Sequence, residues 1–382
     1  MTLETLEVAC GILPMMRQLT LLCVLVFTWS CGGQAQERAV STSFAEKVQA
    51  LSEAGGFFDT DNLISNERSY LHVMDALARE GVEGGAYIGV GPDQNFSYVA
   101  QIQPIVAYMI DIRRDNLVLH LMFKAMFELA PTRVEFLSLL VGRSTPPEDE
   151  AWPSWSIDDL VAYFDTASRD QSVIDMVRAS IDSAVLTFGV PLSDDDQRNL
   201  DQFHRTFIRE GLALRFNSYG RSPQSYYPTY RDLLLEQSVS GERMNYLSTS
   251  DRYSVVRDLQ LADAVIPVVG DLAGTRALRA IGRDIDDRGL RVSAFYTSNV
   301  EFYLFGSGIF SAFSKNVRTL PIDRRSVFIR SLFRNPSGGR HPMTVRGYGS
   351  TQLLWPIADF ARAEQAGEIR SYWDLVNRYV PN

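Results

Sequence analysis

The sequence predicts an α/β protein whose sheet is interrupted by a large, mostly helical insertion between its second and third strands. Two observations lead to this fold class. Residues 86–111 have the pattern of a strand, a short helix and a second strand, and the right-handed crossover rule makes two such strands parallel neighbours. Strand-like apolar runs then return only near residue 265, after roughly 140 residues of mostly helical pattern.

The first half of the α/β domain is predicted for residues 36–115. A short apolar strand occupies residues 86–91, and Pro92 begins a helix that runs to about residue 103. Pro104 breaks that helix, and the second strand follows and ends at Asp111. Ahead of this unit, residues 64–80 are predicted to form a helix, with Ser65-Asn66 as its cap.

The helical insertion is predicted for residues 116–250, and the second half of the α/β domain for residues 251–382. The insertion begins with a long apolar helix and continues with helices near 156–168, 170–188 and 194–216. Ser193 precedes three aspartates, as expected at a helix N-terminus. The second half contains further predicted strands at 265–270, 291–296 and 326–333.

The N-terminus has the pattern of an export signal, predicted for residues 1–35. Residues 19–29 carry no charge, follow Arg17 and precede a run of small residues. Such a segment suits a signal peptide and is short for a membrane span, so we expect no spanning helix in the mature form. Cleavage after Ala35 would release a soluble protein, whereas Cys31, in a poor lipobox, would carry a lipid anchor. Either route predicts a periplasmic or envelope-associated protein.

Composition excludes several classes of chemistry. The chain has 382 residues, of which 46% are hydrophobic and 22% charged, as in an ordinary globular protein. Its three cysteines all lie within the first 31 residues, which excludes thiol catalysis, thiolate metal sites and disulfides from the globular body. The net charge is −9, and about −8 after removal of the signal, so we expect no nucleic-acid partner.

A glycine-containing loop after the first strand is the main candidate for ligand binding. Gly89 and Gly91 close the strand just before a helix N-terminus, where backbone N–H groups bind anionic or polar ligands. Asp111 follows 20 residues after Gly91, at the next strand end, where a ribose diol needs an acceptor. The alternative is a tight turn with a solvated aspartate. Gln94 replaces the third glycine of G-x-G-x-x-G, which favours a nucleoside-type ligand over a pyrophosphate.

A second acidic strand end, at Asp271, is expected beside the first two. Ligands of open α/β sheets bind outside the carboxyl ends of the strands. Asp271 would accept a hydrogen bond from the exocyclic amine of a base, or it would simply cap the helix that begins near Thr275.

This ordered pattern resembles the cofactor-binding frame of class I S-adenosylmethionine-dependent methyltransferases, which have a Rossmann-type fold. More narrowly, residues 87–116 and 269–305 resemble an uncharacterised bacterial family with that fold. The resemblance implies S-adenosyl-L-methionine as the cofactor, with Gly89 and Gly91 beneath its amino-acid part. It further implies that Asp111 binds the ribose hydroxyls, that Asp271 binds the adenine edge and that Asn299 faces the transferable methyl group.

The sequence also departs from the methyltransferase pattern. Tyr87 stands where those enzymes usually carry an acidic residue, and Asp93 stands in place of a glycine. Asp93 would therefore add negative charge at the cofactor-binding loop. The Asn-Pro-Pro-Tyr signature of amino methyltransferases is absent, because Asn299 is followed by Val300-Glu301.

Other candidate residues carry weaker signals. The four histidines form no metal-binding motif. A polar stripe on the long helix is either solvated or ion-paired, or it brings His120 or Lys124 to the ligand crevice; its members are Asn116, His120, Lys124 and Glu128. The segment 65–68 either caps a helix or covers the ligand. Tyrosines 226, 227 and 230 either line an acceptor pocket or pack on the insertion.

Two functions follow from these observations. The first is an exported methyltransferase-like protein of unknown acceptor, which acts mainly by positioning the acceptor. The second is a non-catalytic or altered-ligand envelope protein that retains the Rossmann-type fold. The export signal favours the second function, because S-adenosylmethionine is made in the cytoplasm.

Overall fold

The computed structural model describes residues 43–147, 152–219, 224–333 and 341–377. The predicted signal peptide, including the proposed lipid-anchor residue Cys31, lies outside these ranges, so export stays a prediction. No helix among the described residues is long and apolar enough to cross a bilayer.

The described chain contains one six-stranded sheet, in the order β3-β2-β1-β4-β5-β6. The strands are β1 (Ala86–Gly89), β2 (Val106–Asp111), β3 (Val265–Val269), β4 (Val292–Ser298), β5 (Val327–Phe333) and β6 (Ser350–Pro356). Strands β1 to β5 run parallel, and β6 pairs with β5 antiparallel. The α/β class is confirmed, and the strand order is compatible with a Rossmann-like fold.

The first three strands are hydrophobic along nearly their whole length because helices cover both faces of a parallel sheet. The helices before β3 are α1 (Phe44–Leu51), α2 (Met74–Arg79), α3 (Gln94–Ile102), α4 (Arg114–Leu129), α5 (Arg133–Val141), α6 (Ile157–Thr166), α7 (Gln171–Thr187), α8 (Asp194–Glu210), α9 (Tyr230–Leu234) and α10 (Ser250–Leu261). After β3 come α11 (Ala277–Asp287), α12 (Val300–Gly306), α13 (Phe310–Val317), α14 (Ile357–Gln365) and α15 (Tyr372–Asn377). Short 3₁₀ helices occupy Arg68–Val73, Trp152–Ser154 and Gly211–Ala213.

Helices α4 to α10 all lie between β2 and β3 in the chain. Helix α4 contacts both of these strands, and α7, α8 and α10 pack against α4. Ser193 caps α8 as expected, through a capping box with Asp196. The insertion therefore thickens one side of the sheet and contributes to a hydrophobic core that is continuous with it.

The segment of residues 52–67, which we call the strap, runs across the carboxyl ends of the strands. The backbone N–H of Glu53 donates to Val269 in β3, and that of Gly56 donates to Ile112, just after β2. A bridge between Thr60 and Ser218 then ties the strap to the insertion. The strap thus forms a roof over the edge of the sheet at which the sequence predicts the ligand site.

The helix predicted for residues 64–80 is shorter than expected. The regular part begins at Arg68 as a 3₁₀ helix, and no side chain caps it. The hydroxyl of Ser65 instead accepts from the backbone N–H of Glu67. Residues 65–67 are consequently free to face the edge of the sheet.

Candidate functional site

A cavity of about 300 Å³ lies beneath the strap at the carboxyl ends of strands β1 to β4. Four of the six residues predicted from the sequence line it together: Gly91, Asp111, Asp271 and Asn299. The other two, Gly89 and Asp93, are not among its lining residues.

Gly91 gives the glycine-containing loop its shape. Its φ of +82° lies in the left-handed region that glycine adopts without strain. The side-chain amide of Asn95 donates to the carbonyls of Val90 (2.9 Å) and Pro92 (2.7 Å). His120 bonds the carbonyl of Gly91 through Nε2 at 2.9 Å. These contacts hold the loop carbonyls away from the cavity.

Gly89 serves the packing behind this loop. A Cβ at Gly89 would overlap Oδ1 of Asn95 and the ring of Tyr87. The hydroxyl of Tyr87 donates to Asn95 Oδ1 at 2.7 Å. Gly89 therefore makes room for the hydrogen bond that orients Asn95. Tyr87, which stands where methyltransferases usually carry an acidic residue, is the donor of this bond.

Asp93 faces the helical insertion. Its Oδ2 accepts hydrogen bonds from the hydroxyls of Tyr230 (2.7 Å) and Tyr246 (3.1 Å). Burial raises the pKa of Asp93 to about 6, although both hydrogen bonds act to lower it. The negative charge that the sequence places at the loop thus lies behind it, against buried tyrosines.

Gln94 occupies the position of the missing third glycine and lines the cavity. Its Nε2 donates to the hydroxyl oxygen of Tyr296 at 3.3 Å. Its Oε1 is buried and accepts no hydrogen bond from any described residue. Its side chain therefore occupies space that a glycine at this position would leave open.

Asp111 lies at the end of β2 in a bidentate ion pair with Arg113. The distances are 3.1 Å from Nε to Oδ1 and 2.9 Å from Nη2 to Oδ2. The backbone N–H of Arg113 donates to Oδ1 as well. Asp111 is therefore a rigid acceptor whose charge is largely balanced within the protein.

Asp271 at the end of β3 keeps one oxygen open. Its Oδ1 accepts from the backbone N–H of Ala273 at 2.8 Å, whereas Oδ2 accepts no hydrogen bond within the described chain. The carboxylate of Glu53, from the strap, accepts hydrogen bonds from the backbone N–H groups of Asp271, Arg276 and Ala277. Glu53 thus occupies the N-terminus of α11 and leaves the side chain of Asp271 available to a ligand.

Asn299 follows β4 and begins α12. The preceding residue, Ser298, has a left-handed φ of +53°, which costs free energy for a non-glycine residue. The hydroxyl of Ser298 donates to Glu67 of the strap. This contact stabilises the turn that brings Asn299 to the cavity.

Glu67 is the site residue that sequence reasoning ranked too low. It is 1% exposed, lines the cavity and accepts hydrogen bonds from residues of three strands. The donors are the hydroxyls of Tyr296 (2.6 Å), Ser298 and Ser331, and the side-chain amide of Gln352 (2.9 Å). Residues 65–67 thus line the cavity, as one of the two sequence interpretations proposed, whereas Arg68 pairs with Glu236 outside it.

The polar stripe of α4 lies away from the cavity, and only its last member, Glu128, is partly exposed. His120 is 2% exposed, and burial lowers its pKa to about 4 although its bond to Gly91 raises it. Lys124 is equally buried and pairs with Asp263 (2.7 Å) and Glu128 (3.1 Å). The ion-paired interpretation is correct for Lys124, and His120 supports the glycine-containing loop from behind.

Charge and shape characterise the cavity as a whole. Its described lining includes the carboxylates of Glu67, Asp111 and Asp271 but no lysine, arginine or histidine. Aromatic rings form the roof and rim: Phe57 of the strap is 80% exposed, and the ring centroids of Phe58 and Tyr303 lie 4.8 Å apart. Among the described residues no cluster of histidine, cysteine and acidic side chains could hold a metal ion. The site therefore favours a neutral or cationic organic ligand.

Comparison with known families places this arrangement in a wider group. The family model described as a domain of unknown function, DUF7790, matches residues 63–147 and 198–375. The chain belongs to this family. The DUF7790 match contains Glu67 and every predicted site residue, and it omits the part of the strap before residue 63. No curated protein matches the chain.

Proposed function

We propose that this member of the DUF7790 family is a methyltransferase-like protein that binds S-adenosyl-L-methionine in the cavity beneath the strap. One observation carries the proposal. Gly91, Asp111, Asp271 and Asn299 come from the ends of four different strands and line a single cavity, in the order that the methyltransferase resemblance requires.

The position of the cavity in the sheet supports a nucleoside ligand. The chain places β2 and β3 on one side of β1 and then crosses to place β4 on the other. Ligands of open α/β sheets bind at this kind of reversal, outside the carboxyl ends of the strands. The cavity spans β1 to β4, and its volume lies at the lower end of the range of small-molecule sites.

The charge of the lining distinguishes between nucleoside ligands. Phosphates need basic side chains or helix N-termini. Here the described part of the lining has no basic residue, and Glu53 occupies the N-terminus of α11. S-adenosylmethionine supplies a reactive methyl group on a positively charged sulfur, and the carboxylates of this cavity complement that charge.

Each residue has a proposed role. Asp111, held by Arg113, would accept from the ribose hydroxyls. The open Oδ2 of Asp271 would accept from the adenine amine. Gly91 would allow close approach of the backbone to the ligand, and Asn299 would face the acceptor and help to position it. Gly89 and Asp93 would act indirectly, through the packing of the loop.

Calorimetric titration with S-adenosylmethionine and S-adenosylhomocysteine tests the proposal. We expect both to bind more tightly than ATP, whose phosphates the acidic lining repels. Asp111→Asn should weaken nucleoside binding by about 1–3 kcal/mol, the scale of a hydrogen bond to a charged group. The matched control is Asp196→Asn, because Asp196 is paired with an arginine, like Asp111, but lies outside the cavity. Absence of binding at millimolar nucleoside, or tighter binding of ATP, would refute the proposal.

A second function, that of a non-catalytic or altered-ligand protein that retains the fold but not methyl transfer, is favoured by the ion pair of Asp111. Arg113 already engages both oxygens of this carboxylate, which reduces its capacity to accept from a ribose. The proposed export, read from residues 1–35 alone, points the same way. Under this second function, S-adenosylmethionine bound to the protein would persist unchanged when candidate acceptors are added, as followed by mass spectrometry.

A further inference from the structure

Glu67 is a buried carboxylate that no basic side chain neutralises within the described ranges. Its partners are three hydroxyl groups and one amide, all uncharged. No described lysine, arginine or histidine forms an ion pair with it. A buried carboxylate is expensive in free energy unless it is paired, so a cation is the group that this position lacks.

The hydrogen bonds on Glu67 are distributed unevenly between its two oxygens. Oε2 accepts from Tyr296, Ser331 and Gln352. Oε1 accepts only from Ser298 among the described residues. Because each carboxylate oxygen has about two acceptor positions, Oε1 is the atom with capacity for another donor.

Gln94 offers a second open acceptor nearby. The hydroxyl of Tyr296 donates to Glu67, so its oxygen acts as an acceptor toward Gln94, and the amide of Gln94 must present Nε2 to it. This arrangement fixes Oε1 of Gln94 as the atom without a donor. Glu67 and Gln94 both line the cavity and both contact the hydroxyl of Tyr296.

We propose that Glu67 and Gln94 form an ammonium-binding subsite at the β4 end of the cavity. A primary ammonium group carries a positive charge and three N–H donors and has no acceptor, which matches a carboxylate oxygen and an amide oxygen that both lack donors. A metal ion would require a larger set of ligands, which the described residues do not provide.

The proposal rests on the proposed function for the position of the nucleoside. If adenine and ribose lie at Asp271 and Asp111, the remainder of the ligand extends past Gly91 toward β4, where Glu67 lies. The ammonium group then has two sources. It belongs either to the amino-acid end of S-adenosylmethionine or to a separate amine that is the methyl acceptor.

Two adenosine thioethers of nearly equal size isolate the ammonium group. One is 5′-(3-aminopropylthio)-5′-deoxyadenosine, and the other is 5′-butylthio-5′-deoxyadenosine, which has a methyl group in place of the ammonium. If the ammonium belongs to the nucleoside ligand, the full chain should bind the amine at least about tenfold more tightly. Glu67→Gln and Gln94→Met should both reduce that preference, whereas Glu236→Gln should retain it. Glu236 is the matched control, since it is a buried glutamate paired with Arg68 outside the cavity.

A third probe distinguishes the two sources. If the thioethers bind equally well, ethylammonium is titrated into protein saturated with the butyl compound. Binding that Glu67→Gln abolishes would assign the subsite to a separate amine. Equal binding of the thioethers would overturn the proposal if ethylammonium does not bind the wild-type protein, or if Glu67→Gln leaves that binding unchanged. If Glu67→Gln fails to fold, Gln94→Met takes its place in this comparison.

Failure of the proposed function would look different. In that case neither thioether binds the wild-type protein, and ethylammonium is titrated into the free protein and followed by NMR. Binding that depends on Glu67 would retain the ammonium subsite without the nucleoside. Absence of such binding would overturn the subsite as well.

Discussion

Replacement of Asp93 by asparagine should change how the stability of the protein depends on pH. Asp93 is 3% exposed, and burial raises its pKa from 3.8 to about 6. The folded protein therefore binds this proton more tightly than the unfolded chain does. Its contribution to stability is fully present below pH 3.8 and is lost as the pH rises through 6.

The magnitude follows from the two pKa values. They differ by about 2 pH units, and each unit corresponds to about 1.4 kcal/mol, so the whole effect is about 3 kcal/mol. About 2 kcal/mol of it falls between pH 4.5 and 7.5. The substituted asparagine would not titrate, and its amide oxygen would still accept from Tyr230 and Tyr246. Relative to the wild type, Asp93→Asn should therefore become more stable by about 2 kcal/mol as the pH rises over that interval.

Urea unfolding at several pH values between 4.5 and 7.5 measures this difference. His120 and His204, whose pKa values burial lowers to about 4, destabilise the fold as the pH falls, but they are present in both proteins and cancel in the comparison. As a control, Tyr246→Phe removes a hydrogen bond that lowers the pKa of Asp93, and it should move the transition to higher pH. A difference between wild type and Asp93→Asn that stays constant within about 0.5 kcal/mol would refute the reasoning.

Two further predictions concern the stability of the fold, one at a tightly packed glycine and one at a buried ion pair. Gly89→Ala should destabilise the protein by about 1–3 kcal/mol, because the new Cβ overlaps Asn95 and Tyr87. The control is Gly306→Ala, since no atom lies within 4 Å of a Cβ at that position. Equal unfolding free energies for the two variants would contradict the proposed packing role. Glu301→Gln should cost about 3–5 kcal/mol, because it leaves Arg330, 1% exposed and enclosed by aromatic rings, as an unpaired buried charge. The control is Asp195→Asn, which breaks an exposed ion pair and should reduce the unfolding free energy by less than about 1 kcal/mol. A similarly small loss for Glu301→Gln would show that the buried pair is not required for stability.

Strands β1 to β3 were predictable because they are continuous apolar runs that end at, or just before, glycine or aspartate. Strand β6 was missed for a physical reason. It begins with Ser350-Thr351-Gln352, which are buried although they are polar. Gln352 is buried because its amide donates to Glu67, a residue 285 positions away, and no local pattern records such a contact.

In the candidate site, too, features set by nearby sequence were predictable, and features set by distant residues were not. Asp111 and Asp271 were located because parallel strands bring their carboxyl ends to one edge of the sheet. The direction of the Asp93 side chain depends on Tyr230 and Tyr246, which the insertion supplies. The buried state of Glu67 likewise depends on strands β4 to β6. In both cases the decisive partner is more than 130 residues distant in the chain.

The roof and the floor of the cavity come from two different parts of the chain. Its first residues, including Glu53 and Phe57, precede the region that defines the family, whereas the floor with Asp111 and Asp271 lies inside that region. A chain that starts at residue 63 would keep all six strands and all six predicted residues, yet it would lack the aromatic roof and leave the N-terminus of α11 uncapped. The family domain therefore does not contain the whole candidate site, and a fragment that begins at the domain boundary would carry this cavity as an open groove.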